Sequence, residues 1–206
     1  MLNKEERDQF EASVQRVRQA VLRRVAPLPR AEARRISREQ LYQGLALVFD
    51  QALQADTLPP ACESGCSACC HQAVSVTPME AEALVGFIRM HWSAEAAQQM
   101  RQAAEARASN DSPSLSWAER PPCVLLGEDH RCRAYEARPA ACRKCHSLSR
   151  VACDAREDEL PQNLKLLMDA EALMGGVRLA LEDCGDEQPV QTLPKALLKA
   201  WRAAEA

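Results

Sequence analysis

Clustered cysteines constrain this chain more than any other feature of its sequence. Nine of the ten cysteines lie between residues 62 and 153, and in the first group neighbouring thiols are separated by three residues or fewer. A turn can direct thiolates at this spacing toward one metal centre, and small residues between them let backbone amides approach the sulfurs. The clustering therefore predicts metal binding ahead of redox-active thiols. Inert packing explains isolated buried thiols but not thiols in clusters.

The start of the chain indicates which compartment these thiols occupy. Residues 1–8 are acidic and helix-forming and contain no apolar signal segment. No apolar run approaches the roughly 18 residues of a membrane-spanning helix. We therefore expect a cytoplasmic protein with no membrane partner, whose cysteines are reduced rather than paired in disulfides.

Composition favours a mainly α fold. Only eight residues are aromatic and seven are glycine, while 47% are hydrophobic, which is enough for a core. Sandwiches and barrels need more β-branched and aromatic residues than this. We expect one domain over residues 1–206, a helical scaffold with minimal β structure whose two cysteine-rich loops converge on a metal centre. Its parts are an N-terminal helical arm (1–58), a cysteine-cluster core (59–156) and C-terminal helices (157–206).

Apolar periodicity and capping residues place the helices. Asn3, Ser37, Thr77, Ser93 and Thr192 are suitable N-caps, and the sequence after Thr77 has the proline and glutamate of a capping box. A short extended stretch is expected at residues 73–76. The predicted helices run over residues 3–26, 37–55, 77–90, 93–108, 158–181 and 192–201, with a kink where two glycines meet at 175–176.

The two cysteine groups have a recognisable order. Residues 62–71 read C-x3-C-x2-C-C-H, and a second segment reads Pro-Cys at 122–123 and then Cys-x2-Tyr-x2-Arg-Pro-x2-Cys-Arg at 132–143. Over about residues 60–155 this pattern resembles the YkgJ-like cysteine-cluster family, a zinc- or iron-chelating domain named for its CxxCxxCC motif. Three residues rather than two separate the first pair of cysteines.

The resemblance implies a set of site residues. Tyr135, Arg138 and Arg143 match family positions without being ligands, so they are expected around the centre as a surrounding shell. Cys145 and Cys184 match nothing in the motif, and Cys184 is expected to be a packed thiol. The ligands that the resemblance implies are Cys62, Cys66, Cys69, Cys70, Cys123, Cys132, Cys142 and Cys153.

The number of thiolates bears on the choice of metal. Cysteine-only ligation suits both Zn²⁺ and iron–sulfur clusters. Eight thiolates are twice what one tetrahedral zinc takes, so two sites or one polynuclear centre is implied. The side chains of adjacent Cys69 and Cys70 diverge, which suits two metals of a cluster better than one zinc. We therefore favour an iron–sulfur cluster over Zn²⁺.

Charge indicates the kind of partner. The chain has 26 Lys and Arg against 29 Asp and Glu, so nucleic acid is not the default partner. Residues 131–156 are locally basic, with seven basic and two acidic side chains, and this charge can neutralise thiolates as well as form a solvated surface. Tyr135 is the only aromatic residue in this segment, which leaves little platform for base stacking. An unidentified protein or redox partner is expected.

Several functions remain open at this stage. The leading interpretation is a metal-cluster protein in a structural or electron-transfer role. An enzyme of cluster-dependent group transfer, such as protein methylation, is the alternative, although no acid–base residue set indicates one. Metal storage or delivery is a third. His71 and His146 adjoin cysteine motifs, but an ordinary role is favoured over ligation for both.

A simpler metal site also fits the spacing. Cys66, Cys69, Cys142 and Cys145 could form a zinc site from two Cys-x2-Cys pairs. That site would use Cys145, whereas the resemblance leaves it out and uses Cys132. From the resemblance, Cys145→Ser is expected to retain metal and Cys132→Ser to lose it.

Overall fold

Helices dominate the backbone, which confirms the mainly α prediction. The computed structural model describes residues 3–54, 59–63, 65–110, 115–157 and 159–205. One antiparallel sheet pairs β1 (Ser75–Val76) with β2 (Gln191–Thr192), so the expected extended stretch is present. The α-helices of the described residues are α1 (Lys4–Val25), α2 (Arg30–Gln54), α3 (Pro78–His91), α4 (Ala94–Asn110), α5 (Ala140–Lys144), α6 (Arg150–Ala155), α7 (Leu164–Asp183) and α8 (Leu193–Glu205).

The chain divides into two units, and each is assembled from separate stretches of sequence. Unit 1 consists of Met1–Pro60 and Gln162–Gln188, and unit 2 of Ala61–Pro161 and Pro189–Ala206. Nine cysteines belong to unit 2, whereas Cys184 belongs to unit 1. Cys184 is exposed at the end of α7, so the expectation of a packed thiol was wrong. The expected single domain, with its arm, core and C-terminal helices, stays a prediction.

In unit 1, α7 packs against α1 and α2. The α1 contact is closest at Gly176, where an added Cβ would lie 2.5 Å from Val17 Cβ and 2.8 Å from the carbonyl oxygen of Val14. The neighbouring Gly175 has more room, because its nearest neighbours are Val14 methyl groups at 3.8 Å. Gly176 therefore lets the two helix backbones approach each other.

The beginning of α2 differs from the sequence prediction. The helix starts at Arg30, and Ser37, the expected cap, lies buried inside it with no hydrogen bond to its hydroxyl. Arg30 and Arg34, one turn apart, both donate to the buried carboxylate of Asp186, at 2.8 and 2.6 Å. Burial alone would raise the pKa of Asp186, but the hydrogen bonds and charges of these arginines lower it. This long-range ion pair favours helix before Ser37, which local capping preference does not reveal.

In unit 2, α8 packs against α3 and α4 around a core that includes Leu84, Ile88, Met100 and Leu197. The predicted capping box is confirmed, because Thr77 and Glu80 exchange hydrogen bonds at the start of α3. The Ser93 hydroxyl accepts from the Ala96 amide at 3.2 Å, as a cap of α4 should.

Three other helix predictions need correction or fall outside what is described. The expected start of α7 at Asp158 lies outside the described residues, and the helix begins after Asn163, whose side chain accepts from the Leu166 amide at 3.0 Å. Thr192 lies in β2 and its hydroxyl has no hydrogen bond, so it is not the predicted cap. α8 continues past Trp201 to Glu205. The short helices α5 and α6 were not predicted, because five or six residues are too few to show a period.

Replacing each glycine of α7 by alanine tests the close approach of α1 and α7. We expect Gly176→Ala to destabilise the protein by about 1–3 kcal/mol, the usual cost of overpacking. We expect Gly175→Ala to stabilise it by up to about 1 kcal/mol, because alanine favours helix and finds room there. Urea unfolding followed by circular dichroism measures both. Equal effects of the two variants would contradict the packing described for Gly176.

Candidate metal centre

Backbone hydrogen bonds join the two cysteine segments directly. The amide of Cys123 donates to the carbonyl of Cys70 at 2.8 Å, and the amide of Ala61 donates to the carbonyl of Ser147 at 2.7 Å. The first segment is thus attached near both of its ends to the second. The sequence analysis predicted that the two cysteine segments meet, and they meet within unit 2.

The first segment is a sequence of tight turns. Gly65 has a φ of 87°, a conformation that favours glycine, and the Cys66 amide donates to the Glu63 carbonyl at 3.0 Å. A 3-10 helix over Ala68–His71 then carries Cys69 and Cys70. These turns place Cys66, Cys69 and Cys70 within five residues of chain.

A loop after α4 holds the 3-10 helix in place. The indole nitrogen of buried Trp117 donates to the carbonyl of Ala68 at 3.0 Å. His71 Nδ1 lies 3.2 Å from the carbonyl of Arg120, and since a carbonyl only accepts, Nδ1 is the donor. His146 uses Nδ1 in the same way on the carbonyl of Lys144, at 2.9 Å. Both imidazoles therefore support the backbone of the cysteine segments, and a ligand role for either stays untested.

The second segment presents its first two cysteines from a hairpin-like loop. Leu126 and Cys132 form a β-bridge, and Arg133 donates to the Leu125 carbonyl at 2.8 Å. Cys123 and Cys132 pack against the apolar core. Burial raises the pKa of Cys123 to about 11 and also raises the pKa of Cys132. Without a metal cation, both therefore remain thiols at neutral pH.

Glu80 fixes the helix that carries the next cysteines. Its side chain is buried; one carboxylate oxygen accepts from the Ala140 amide at 2.7 Å, and the other accepts from the amide and hydroxyl of Thr77 at 3.0 and 2.7 Å. The same residue therefore begins α3 and positions α5. Cys142 lies within α5, and Cys145 is the residue that ends it.

Cys69 is the centre of the thiol cluster. Hydrogen bonding with the Cys145 and Cys70 thiols holds the pKa of Cys69 well below its usual range. Cys62 also interacts with Cys66 and Cys153, and the assignment of the eight expected ligands stays a prediction. The thiols that interact electrostatically with Cys69 are Cys62, Cys70, Cys123, Cys132, Cys142 and Cys145.

The three residues expected around the centre have different roles. The charge of Arg138 interacts with Cys69, Cys132 and Cys142, and its buried Nε has no hydrogen-bond partner. Tyr135 is exposed and stacks under this guanidinium at 3.9 Å. Arg143 donates from Nε to the Arg138 carbonyl at 2.9 Å, so it shapes the backbone that precedes α5.

The cluster can now be compared with known proteins. A family model described as "CxxCxxCC: Putative zinc- or iron-chelating domain" matches residues 61–163, half of the chain. The chain belongs to the CxxCxxCC family. This confirms the family resemblance and supports chelation of zinc or iron by the cysteine cluster. No curated protein and no solved structure matches the chain. None of the described helices has the length and apolarity needed to cross a membrane.

The donor set of this CxxCxxCC protein fits a thiophilic metal in its chemistry. Thiolates are the preferred ligands of zinc and of iron–sulfur clusters. The free Nε–H of Arg138 is a donor that thiolate or sulfide could satisfy. As placed here, however, no three His, Cys, Asp or Glu side chains within the described ranges form a group that could hold a metal ion.

Sequence reasoning missed three contributors to this cluster, and it considered Cys145 only in the alternative zinc site. Cys145 contacts Cys69, Gln72 accepts from Cys145 with 3.6 Å between sulfur and oxygen, and Trp117 and Glu80 hold the supporting backbone. The Cys-x2-Cys spacing to Cys142 was the available signal for Cys145. The other three form contacts across 49 to 73 residues, which no local pattern reports.

Removing Glu80 tests its role in positioning α5. We expect Glu80→Ala to destabilise unit 2 by more than about 2 kcal/mol, because buried donors left unsatisfied cost about 1–3 kcal/mol each. Hydrogen exchange at residues 140–145 should accelerate, and metal affinity should fall about 10- to 100-fold, as when a supporting residue is lost. Glu82→Ala, an exposed position of α3, is the control. Unchanged exchange at residues 140–145 would refute the role of Glu80.

Proposed function

We propose that unit 2 holds a polynuclear metal centre, an iron–sulfur cluster in preference to Zn²⁺, in a structural or electron-transfer role. The proposed ligands are the eight cysteines that match the family pattern. The observation that carries this proposal is the direct attachment of the two cysteine segments to each other, by the hydrogen bonds from the Cys123 amide to Cys70 and from the Ala61 amide to Ser147.

The number of the thiols supports more than one metal. A single tetrahedral zinc takes four ligands. Cys69 and Cys70 both interact with Cys123 and Cys132, and Cys62 and Cys142 also interact with Cys69. More than four interacting thiols suit more than one metal in one centre.

The surrounding charge supports a redox role. When bound, an iron–sulfur cluster takes up and releases single electrons, and nearby positive charge and hydrogen bonds set its potential. Arg138 provides such a charge next to Cys69, Cys132 and Cys142. A protein redox partner and a reducing compartment, the cytoplasm, complete the proposal. All ten cysteines are free thiols, as that compartment requires.

Anaerobic purification with metal and sulfide analysis and a visible spectrum tests the identity of the centre. We expect iron with acid-labile sulfide and a broad absorption band in the visible range. A colourless protein that contains zinc and no sulfide would replace the iron–sulfur proposal with a zinc centre. A protein that takes up neither metal would overturn both.

Cysteine variants test which thiols hold the metal. We expect Cys69→Ala and Cys142→Ala each to lower the metal content and to accelerate hydrogen exchange over residues 60–155, since metal binding and local folding are coupled. Cys184→Ala, at an exposed cysteine of unit 1, should retain full metal content. Normal metal content in both cluster variants would show that the ligands are misassigned.

A further inference from the structure

The thiol of Cys145 has a position that the family pattern does not explain. Cys145 ends α5, three residues after Cys142, and its sulfur lies 3.6 Å from Gln72 Oε1. Gln72 in turn donates its backbone amide to the carbonyl of Cys69 at 3.1 Å, and interactions with Cys69, burial, Cys142 and Cys62 raise the pKa of Cys145. Its side chain therefore faces thiols of both cysteine segments.

Two roles could account for this position. Cys145 could remain a thiol that donates a hydrogen bond to a ligating sulfur, or it could bind the metal itself. The first role leaves a neutral thiol directly beside the most connected sulfur of the cluster. The second uses the same short contact, because two thiolates on one metal must approach each other closely; Zn–S bonds, for example, are about 2.3 Å long.

The local backbone favours the second role. Cys142 and Cys145 have the two-residue spacing that lets a turn direct both sulfurs at one centre. α5, which precedes Cys145, is anchored by the buried carboxylate of Glu80, and Gln72 beside the sulfur directly follows the 3-10 helix of Cys69 and Cys70. The sulfur is thus held between both cysteine segments.

We propose that Cys145 is a further metal ligand, bound next to Cys69 in the same centre; this proposal rests on the proposed function. Gln72 is a positioning residue, whose side-chain oxygen accepts the S–H of the unligated Cys145 thiol and orients that side chain before the metal replaces the proton. Ligation replaces the S–H proton by a metal–sulfur bond and releases the proton to solvent.

Serine at position 145 separates the two roles. A serine hydroxyl donates a hydrogen bond as the thiol does but is a poor ligand for a thiophilic metal. We expect anaerobically purified Cys145→Ser to lose metal. Loss of a supporting group typically lowers metal affinity about 10- to 100-fold, and we expect the resistance of this variant to a competing chelator to fall by more than that. Cys184→Ser is the matched control and should behave as wild type.

The outcomes distinguish the proposal that Cys145 is a ligand from the proposal that unit 2 holds a metal centre. If wild type holds metal and Cys145→Ser keeps the same metal content, spectrum and chelator resistance, Cys145 is only a hydrogen-bond donor and the proposal is wrong, while the metal centre stands. If wild type holds no metal, both proposals fail.

A measurement on the wild-type protein covers the case in which the variant does not fold. Native alkylation mapped by mass spectrometry should leave Cys145 unmodified in the metal-loaded protein and modify it after chelation. Exposed Cys184 should react at the same rate in both states. Modification of Cys145 at one rate with and without metal would overturn the proposal.

Discussion

The hydrogen bond from the Cys123 amide to the Cys70 carbonyl is the contact on which the cluster depends. It fixes the end of the first cysteine segment against the start of the second, across about fifty residues of chain. Two further contacts of unit 2 support this junction. Trp117 holds the 3-10 helix, and Glu80 holds α5. These contacts bring the backbones of the two cysteine segments together.

Burial of the cysteine thiols disfavours their charged thiolate form and favours their coordination to a metal cation. Burial raises the pKa of Cys123 and Cys142, so a cluster of bare thiolates would be costly in this environment. A metal cation offsets that cost by replacing the thiol protons with coordinate bonds. Arg138 contributes a fixed positive charge that favours the thiolates of Cys69, Cys132 and Cys142. Because burial disfavours bare thiolates, the positive charge of a bound metal stabilises the sulfurs in this environment.

Sequence and structure agree where the signal is local. The Thr77–Glu80 capping box, the Ser93 cap and the helical content follow from residues within one or two turns, and the structure contains all three. The sequence did not show that Glu80 also accepts from Ala140, or that Arg30 and Arg34 share Asp186. Such contacts join residues 60 to 156 positions apart and override local preference, as at Ser37. The cysteine spacing predicted a cluster, but which sulfur contacts which depends on those long-range contacts.

The two segments of unit 2 impose an order on biosynthesis. Its last cysteine is residue 153, but β2 and α8, which complete its sheet and core, come only after residue 190, beyond a stretch that belongs to unit 1. A ribosome therefore releases every candidate ligand of unit 2 before it makes the helix that packs on α3 and α4. Nascent thiols spend that interval without their finished support. Stable loading of the centre must then be a late event, which follows the emergence of α8 rather than that of the cysteines.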